Sequence, residues 1–247
     1  MNTLFLAWRA PAKRWHPIGY LAYRDGVYTF GYVHGVRTAE AEDGFRPLIE
    51  FPRFDREFRS ARLFSVFANR LPPQTRPDYA AFVDWLNLAP GDVRDVDLLA
   101  RSEGRRVTDT FEVFPKPERT EDGRYVVHAF IHGIRHREPT AVERAERLQP
   151  GEPLVLRADA DNPADALAVA THTGDTDEHI GFLPRYLAED VQTLGVERVT
   201  ATVERVNRAP VPIQFRVLCQ IEAAWPTGFE ACAGAEFEPL AVGACVP

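Results

Sequence analysis

The stretch GEPLVLRADADNPADALAVA at residues 151–170 decides the fold. It places a short apolar run before a polar turn, and an alternation of apolar and polar residues resumes after the turn. The turn is Asn162-Pro163-Ala164-Asp165, in which short polar side chains can bond to their own backbone while proline fixes φ. The stretch therefore predicts two strands joined by a turn.

A second stretch, HIGFLPRYLA at residues 179–188, continues this pattern. Its apolar residues at 180–183 are typical of a short strand, and Pro184 suits the first turn of a helix. The polar residues 175–178 before it predict a solvated loop. The expected order is therefore strand, turn, strand, loop, strand and helix.

This succession resembles the HIRAN domain, a small β-rich module with an apolar strand, an Asn-Pro-x-Asp turn, a second strand and Ile-Gly-x-Leu-Pro-Arg before a short helix. The last motif is Ile-Gly-Phe-Leu-Pro-Arg at residues 180–185 here. The resemblance covers residues 124–224, and three linked motifs in order are more specific than any one of them. It implies a partly open barrel with short helices, related in shape to OB and SH3-like barrels.

The N-terminal part resembles the small β-rich subdomain that precedes the kinase core in HipA-type toxin kinases, over residues 1–110. Three features carry this resemblance: a hairpin from 18–21 to 28–32, a predicted edge strand at 47–49, and LFSVFANRLP at 63–72. The last segment is predicted to be a helix that Ser60 caps. The chain lacks a Gly-rich phosphate loop and a strand lysine with a downstream catalytic Asp and Asn. A kinase is therefore excluded.

The fold class expected from these patterns is α+β, with two small β-rich domains. The segment PKPERTEDG at residues 115–123 is the best linker in the chain. We therefore expect one domain at residues 1–119, a HIRAN-like domain at 120–225, and a loosely ordered tail at 226–247.

Charge is distributed unevenly along the 247 residues. Residues 1–120 carry 18 Lys and Arg against 16 Asp and Glu, a net charge of +2. Residues 121–247 carry 11 against 20, a net charge of −9. Because phosphate contacts supply most of the affinity for nucleic acid, any such binding by the acidic half has to be local and geometric.

The cysteines and the hydropathy of the sequence indicate the cellular compartment that we expect. Cys219, Cys232 and Cys245 are odd in number and contain no Cys-x-x-Cys pair, which argues against a disulfide framework or a zinc knuckle. The sequence has no apolar run long enough to span a bilayer, and its N-terminus lacks the features of a signal peptide. We expect a cytoplasmic protein with no membrane partner and no cofactor.

Six residues are candidates for nucleic-acid binding, and each also has an ordinary structural explanation. In DNA-end-binding HIRAN domains the Asp of the turn accepts a hydrogen bond from a 3′-hydroxyl, which assigns that role to Asp165 with Asn162 beside it. By residue type alone, both are ordinary turn residues. The aromatic residue that precedes this Asp in the family is Ala164 here.

The remaining candidates follow from the same resemblance. His136 stands in the Gly-Ile-Arg-His segment where the family has a stacking aromatic, and Arg135 beside it can pair with phosphate or with local carboxylates. Phe182 is either part of the core or a stacking platform. Arg185, at the start of a helix, can hold a phosphate near the helix amides.

Metal and nuclease chemistry have weaker support. A strand through this segment would bring the even positions His128, His132 and His136 to one face, at separations too wide for one metal, so packed or surface histidines are expected. The acidic residues of the turn lack the Glu-x-Lys segment of a nuclease. We therefore expect no metal site and no catalytic residue.

The sequence thus favours a non-enzymatic adaptor that binds single-stranded or frayed DNA 3′ ends in DNA repair or processing. An alternative is a protein-interaction module of a toxin–antitoxin or defence system. In that case the N-terminal domain binds a kinase core or an antitoxin on another chain.

Overall fold

The computed structural model describes residues 3–89, 91 and 93–240. Its strands are β1 (Thr3–Arg9), β2 (Trp15–Arg24), β3 (Val27–Tyr32), β4 (Phe58–Ser60), β5 (Phe111–Pro115), β6 (Arg124–Phe130), β7 (Pro153–Ala158), β8 (Val169–Thr173), β9 (His179–Phe182), β10 (Thr200–Val206) and β11 (Val217–Ala224). Its α-helices are α1 (Gly35–Asp43), α2 (Ser65–Ala68), α3 (Tyr79–Trp85), α4 (Asp95–Ser102), α5 (Pro139–Arg147) and α6 (Arg185–Leu194). Short 3-10 turns lie at Ile134–His136, Val196–Arg198, Ile213–Phe215 and Ala235–Phe237.

The helices and the two antiparallel sheets confirm the mixed α+β class. The chain divides into two compact units. The first unit contains residues 1–81, 89–116 and 232–247, and the second contains residues 82–88 and 117–231. The division at 116/117 falls inside the predicted linker, between β5 and β6.

The first unit is built on a five-stranded antiparallel sheet in the order β4-β3-β2-β1-β5. Aromatic side chains dominate its core. The rings of Phe30 and Phe51 stack with their centroids 3.8 Å apart, and the ring centroid of Phe67 lies 5.9 Å from that of Phe30. Tyr32 is fully buried, donates its hydroxyl proton to the Phe51 carbonyl and accepts the Leu48 amide. That buried hydroxyl holds the loop 48–51 onto the sheet.

Two expectations for the first unit were wrong. Residues 47–49 form no strand, and Ile49 is fully exposed, because this segment is anchored through Tyr32 and not through a sheet edge. The helix predicted from Ser60 is only one turn long, at α2. Ser60 ends β4 instead, and the carboxylate of Glu50 accepts the Ser65 and Val66 amides at the start of α2.

The second unit is a six-stranded antiparallel sheet in the order β6-β11-β10-β7-β8-β9. The sheet curls, so that His132, just after β6, pairs with Phe182 at the end of β9. Two backbone hydrogen bonds join this pair, at 2.8 and 2.9 Å. This is the predicted partly open barrel. The predicted strand at 124–134 ends early, at Phe130, and the chain then turns into the 3-10 helix.

Both units contain a segment from elsewhere in the chain, a feature that the three predicted domains lack. Residues 82–88 belong to the second unit. There the side-chain amide of the buried Asn207 donates to the backbone carbonyls of Trp85 at 2.8 Å and Phe215 at 2.7 Å. Residues 232–240, expected to be loosely ordered, lie on the first unit. There Phe237 is buried and the Leu240 amide donates to the Tyr32 carbonyl at 2.8 Å. The rest of the predicted tail, including Cys245, lies outside the described residues.

Among the described residues, no helix has the length and apolar character needed to cross a membrane.

Candidate functional site

The turn between β7 and β8 is built by the residues that the sequence indicated. The Asp159 amide donates to the Ala168 carbonyl at 2.8 Å and closes the turn. Within it, the Asn162 side-chain oxygen accepts the Ala164 amide at 3.0 Å, and one Asp165 oxygen accepts the Leu167 amide at 3.0 Å. Asn162 and Asp165 therefore both stabilise the turn, as their residue types predict.

Asp165 also pairs with Arg185. The second carboxylate oxygen of Asp165 lies 2.9 Å from Nε of Arg185, and the two side chains are 23% and 28% exposed. Arg185 is the first residue of α6, directly after Pro184. Farther along that helix, the side-chain amide of Gln192 donates to the backbone carbonyl of Leu167 at 2.9 Å. This bond also fixes the turn against α6. A carboxylate has about four lone-pair sites, so Asp165 can still accept a bond from outside.

The closure of the barrel places a second group of residues beside β9. Gly133 adopts φ +75°, a conformation that favours glycine, and a Cβ at this position would lie 3.6 Å from Cδ2 of Phe182. The chain then enters the 3-10 helix with Arg135 and His136 exposed. Arg135 donates from Nε to Nε2 of His136 at 2.9 Å. These two predicted residues are therefore accessible, and no carboxylate within the described part of the chain pairs with Arg135.

Phe182 is half-buried, and its ring already has neighbours. The guanidinium carbon of Arg137 lies 5.2 Å from the ring centroid, and the ring of His179 meets it edge to face at 4.8 Å. Stacking of a base on Phe182 stays a prediction. The Arg137 group covers part of the ring surface that such a base would use.

The sequence did not point to a cluster formed by Arg137, His172 and His179. His172 and His179 are register partners on β8 and β9, and their rings stack 4.8 Å apart with 14° between their planes. His179 contacts the Gly181 carbonyl through Nε2 at 2.9 Å and Arg137 Nη1 through Nδ1 at 3.1 Å. Burial, followed by the charges of Arg137 and His172, lowers the pKa of His179. The strand pattern of the sequence could have indicated that the two histidines lie on neighbouring strands. No sequence pattern indicates a role for Arg137.

The six predicted residues thus fall into connected groups. Asn162, Asp165 and Arg185 surround the turn and the start of α6, while Arg135 and His136 follow the closing bridge. Phe182 pairs with His132 in the closing bridge and lies three residues before Arg185.

The three histidines once considered as metal ligands are not on one strand. His128 lies on β6 and pairs with Glu204, His132 forms the closing bridge, and His136 is in the 3-10 helix.

A cleft elsewhere on the second unit contains none of the predicted residues. It has a volume of about 440 Å³ and is open and mainly polar. Its walls come from residues 148–150 and 204–206, together with Asn87 and Arg208.

The geometry of the second unit is that of a curled antiparallel sheet with a polar turn facing a short helix. Residues 125–225 match the family model of the HIRAN domain, so the second unit contains a HIRAN domain. A search of curated proteins found no match.

Two solved structures are similar to this chain. One is the HIRAN domain of human HLTF, with 14% identity over 42% of this chain and 81% of that one, and a TM-score of 0.31. The other is a structural genomics target from Lactobacillus plantarum, with 18% identity over 41% of this chain and 97% of that one, and a TM-score of 0.32.

Proposed function

We propose that the HIRAN domain of this chain binds DNA at the 3′ end of a single or frayed strand, and that the protein is a non-enzymatic adaptor in DNA repair or processing. The observation that carries the proposal is the 2.9 Å pair of Asp165 and Arg185 on the turn of a domain that matches the HIRAN model. The pair presents one hydrogen-bond acceptor and one cationic donor side by side.

The chemistry of this pair suits a terminal nucleotide. A free 3′-hydroxyl donates a hydrogen bond, and the Asp165 carboxylate retains acceptor sites after its bonds to Arg185 and the Leu167 amide. The phosphodiester on the 5′ side of the terminal nucleotide carries the negative charge that a guanidinium binds well. A terminal 3′-phosphate, in contrast, brings its charge against the carboxylate.

Arg135 and His136 have the properties of a neighbouring contact. Both are exposed, and Arg135 is held by an imidazole nitrogen and not by a carboxylate. An imidazole ring can stack on a base, and the arginine can bind its phosphate. We assign Asn162 to the terminal sugar beside Asp165. Its amide nitrogen already donates one hydrogen to Asp159 and has a second available.

The acidic charge of this half shapes the expected binding. With 11 Lys and Arg against 20 Asp and Glu in residues 121–247, the general field repels DNA. Affinity therefore has to come from a few arginines, and its dependence on salt should be shallow.

Fluorescence anisotropy tests this function with one labelled single-stranded oligonucleotide that ends in either a 3′-hydroxyl or a 3′-phosphate. We expect the wild type to prefer the hydroxyl form by about tenfold, the size of one charge-assisted hydrogen bond. Asp165→Asn should remove the preference. Arg185→Gln should weaken binding to both forms but increase the preference, because the carboxylate then has no cation beside it.

Asp161→Asn is the matched control, since Asp161 is an exposed carboxylate of the same turn. It should keep the end preference of the wild type. Equal binding of both oligonucleotides by the wild type, or an unchanged preference in Asp165→Asn, would refute end recognition.

The second candidate is a protein-interaction module, favoured by the −9 charge of residues 121–247. In that case the N-terminal domain, read as HipA-like, binds a kinase core or antitoxin on another chain. The partner should then co-purify equally well after nuclease treatment, whereas a complex bridged by DNA should be lost.

A further inference from the structure

Most arginines of the second unit are neutralised by carboxylates. Such ion pairs join Arg124 to Glu222, Arg144 to Glu152 and Asp175, Arg157 to Asp177, Arg205 to Asp84, and Arg216 to Glu146. Arg137 is one of the exceptions. Its contacts are the His179 imidazole and the Phe182 ring, and no carboxylate in residues 3–89, 91 and 93–240 lies within ion-pair distance.

The guanidinium of Arg137 is fixed but only partly satisfied. Nη1 donates to Nδ1 of His179 at 3.1 Å, and the guanidinium carbon sits 5.2 Å from the centroid of Phe182. Nε is buried and has no hydrogen-bond acceptor among the described residues. An arginine carries five N–H donors, and leaving a buried charged donor without an acceptor is costly. An acceptor from outside the protein would reach the guanidinium at Nη2, which makes no hydrogen bond among the described residues, because the side-chain hydrogen bonds of Arg137 come from Nη1.

His179 holds Arg137 in a defined orientation. Because Nδ1 accepts from arginine, the imidazole is neutral and carries its proton on Nε2, where it donates to the Gly181 carbonyl at 2.9 Å. His172 stacks behind it.

Two acidic groups near the histidine pair already have partners. Asp177 pairs with Arg157 and lies near His172, and Asp159 accepts from Asn162. Neither neutralises Arg137, so the charge of Arg137 remains available to an external anion.

We propose that Arg137 is a binding site for an internal phosphodiester of a nucleic-acid strand, separate from the terminal pocket at Asp165, with His179 as its positioning residue and Phe182 as its support. This inference rests on the proposed function, because it assumes that the domain meets nucleic acid. A guanidinium has the fork geometry that matches two phosphate oxygens.

A circular single-stranded oligonucleotide tests this site, because it has phosphodiesters but no end. Anisotropy at several salt concentrations compares the wild type with Arg137→Gln, Arg137→Lys and Arg198→Gln. Arg198 is the matched control: its side chain is 79% exposed and pairs with the adjacent Glu197, and its removal changes the net charge equally.

We expect Arg137→Gln to lower affinity for the circle by about tenfold and to reduce the salt slope by about 0.7. Arg137→Lys should lie between Arg137→Gln and the wild type, because it keeps the charge but loses the fork. His179→Gln, which keeps a side-chain acceptor, should bind the circle better than His179→Phe, whereas a purely structural role would make both equally weak. Far-UV circular dichroism verifies that each variant is folded.

The outcomes separate the two proposals. A circle that the wild type does not bind, or that Arg137→Gln and Arg198→Gln bind equally, overturns the internal site and leaves end recognition to the linear pair of oligonucleotides. Equal binding of hydroxyl and phosphate ends, together with loss of circle binding in Arg137→Gln, supports the internal site while end recognition fails.

Discussion

Replacing Gly181 by alanine should open the barrel at its closing bridge. Gly181 has φ +155°, and a Cβ there would lie 2.3 Å from the His132 carbonyl oxygen and 2.7 Å from Cγ2 of Ile131. The first contact is with backbone, so a side-chain rotation cannot relieve it. The bridge between His132 and Phe182 has to separate or shift to make room for the methyl group.

The structure gives the size of the effect. Separation of the bridge loses two backbone hydrogen bonds, at 2.8 and 2.9 Å, each with a net value of about 1 kcal/mol. The unfavourable φ adds about 1–3 kcal/mol for a residue with a side chain. We therefore expect Gly181→Ala to lower the free energy of opening of this region by about 3–5 kcal/mol.

Gly151→Ala is the matched control for backbone strain. Gly151 lies in the same unit with φ +90°, but a Cβ there would meet no atom within 4 Å. Gly151→Ala should therefore lower the free energy of opening only through the unfavourable φ. The difference between the two variants, about 2 kcal/mol, is the part caused by the contact with the bridge.

Hydrogen exchange followed by mass spectrometry measures this difference locally. A change of about 2 kcal/mol corresponds to exchange roughly 30-fold faster in peptides that contain the amides of His132 and Phe182. If Gly181→Ala accelerates exchange in these peptides no more than Gly151→Ala does, the bridge is not the tight closure described above.

Three further predictions concern single side chains of the second unit. Because burial lowers the pKa of His179 below its ordinary 6.5, the unfolded chain binds more protons, and the free energy of unfolding should fall as pH drops below 6.5; in urea titrations at several pH values, His179→Gln should weaken this dependence. Burial, followed by the charge of Glu204, raises the pKa of the Cys219 thiol to about 12, so mapped maleimide labelling at neutral pH should require unfolding. Asn207→Ala should destabilise the second unit by about 2–4 kcal/mol in urea, because two carbonyls lose their buried donor.

Local patterns were enough to predict much of the second unit. The turn at 162–165 and the strands around it depend on residues close in sequence, and the structure places β7, β8 and β9 there in the expected order. Alternation and turn chemistry act over a few residues, which is why they can be recognised without knowledge of the fold.

Other features depend on distant partners and were missed for that reason. Residues 82–88 carry no mark of their attachment to Asn207. Residues 226–240 contain Gly, Ala, three Glu and no Lys or Arg, a composition that gave no sign that Phe237 is buried. The short helix α2 obtains its cap from Glu50, far from the position next to the helix where a cap is usually sought. Sequence separation, and not an unusual residue type, concealed these contacts.

In the candidate site, too, local motifs identify single residues, whereas contacts between residues far apart in the sequence need the structure. Asp165 and Arg185 were each proposed from a motif, but only the fold pairs them, and this pairing changes the expected chemistry because the acceptor and the cation are no longer independent. Arg137 belongs to no motif, and its significance comes from what surrounds it: a neutral imidazole, an aromatic ring and a buried Nε without an acceptor within the described residues. In a domain whose net charge repels DNA, an arginine that no carboxylate of the described residues neutralises keeps its charge available for a phosphate, and only a structure can identify it.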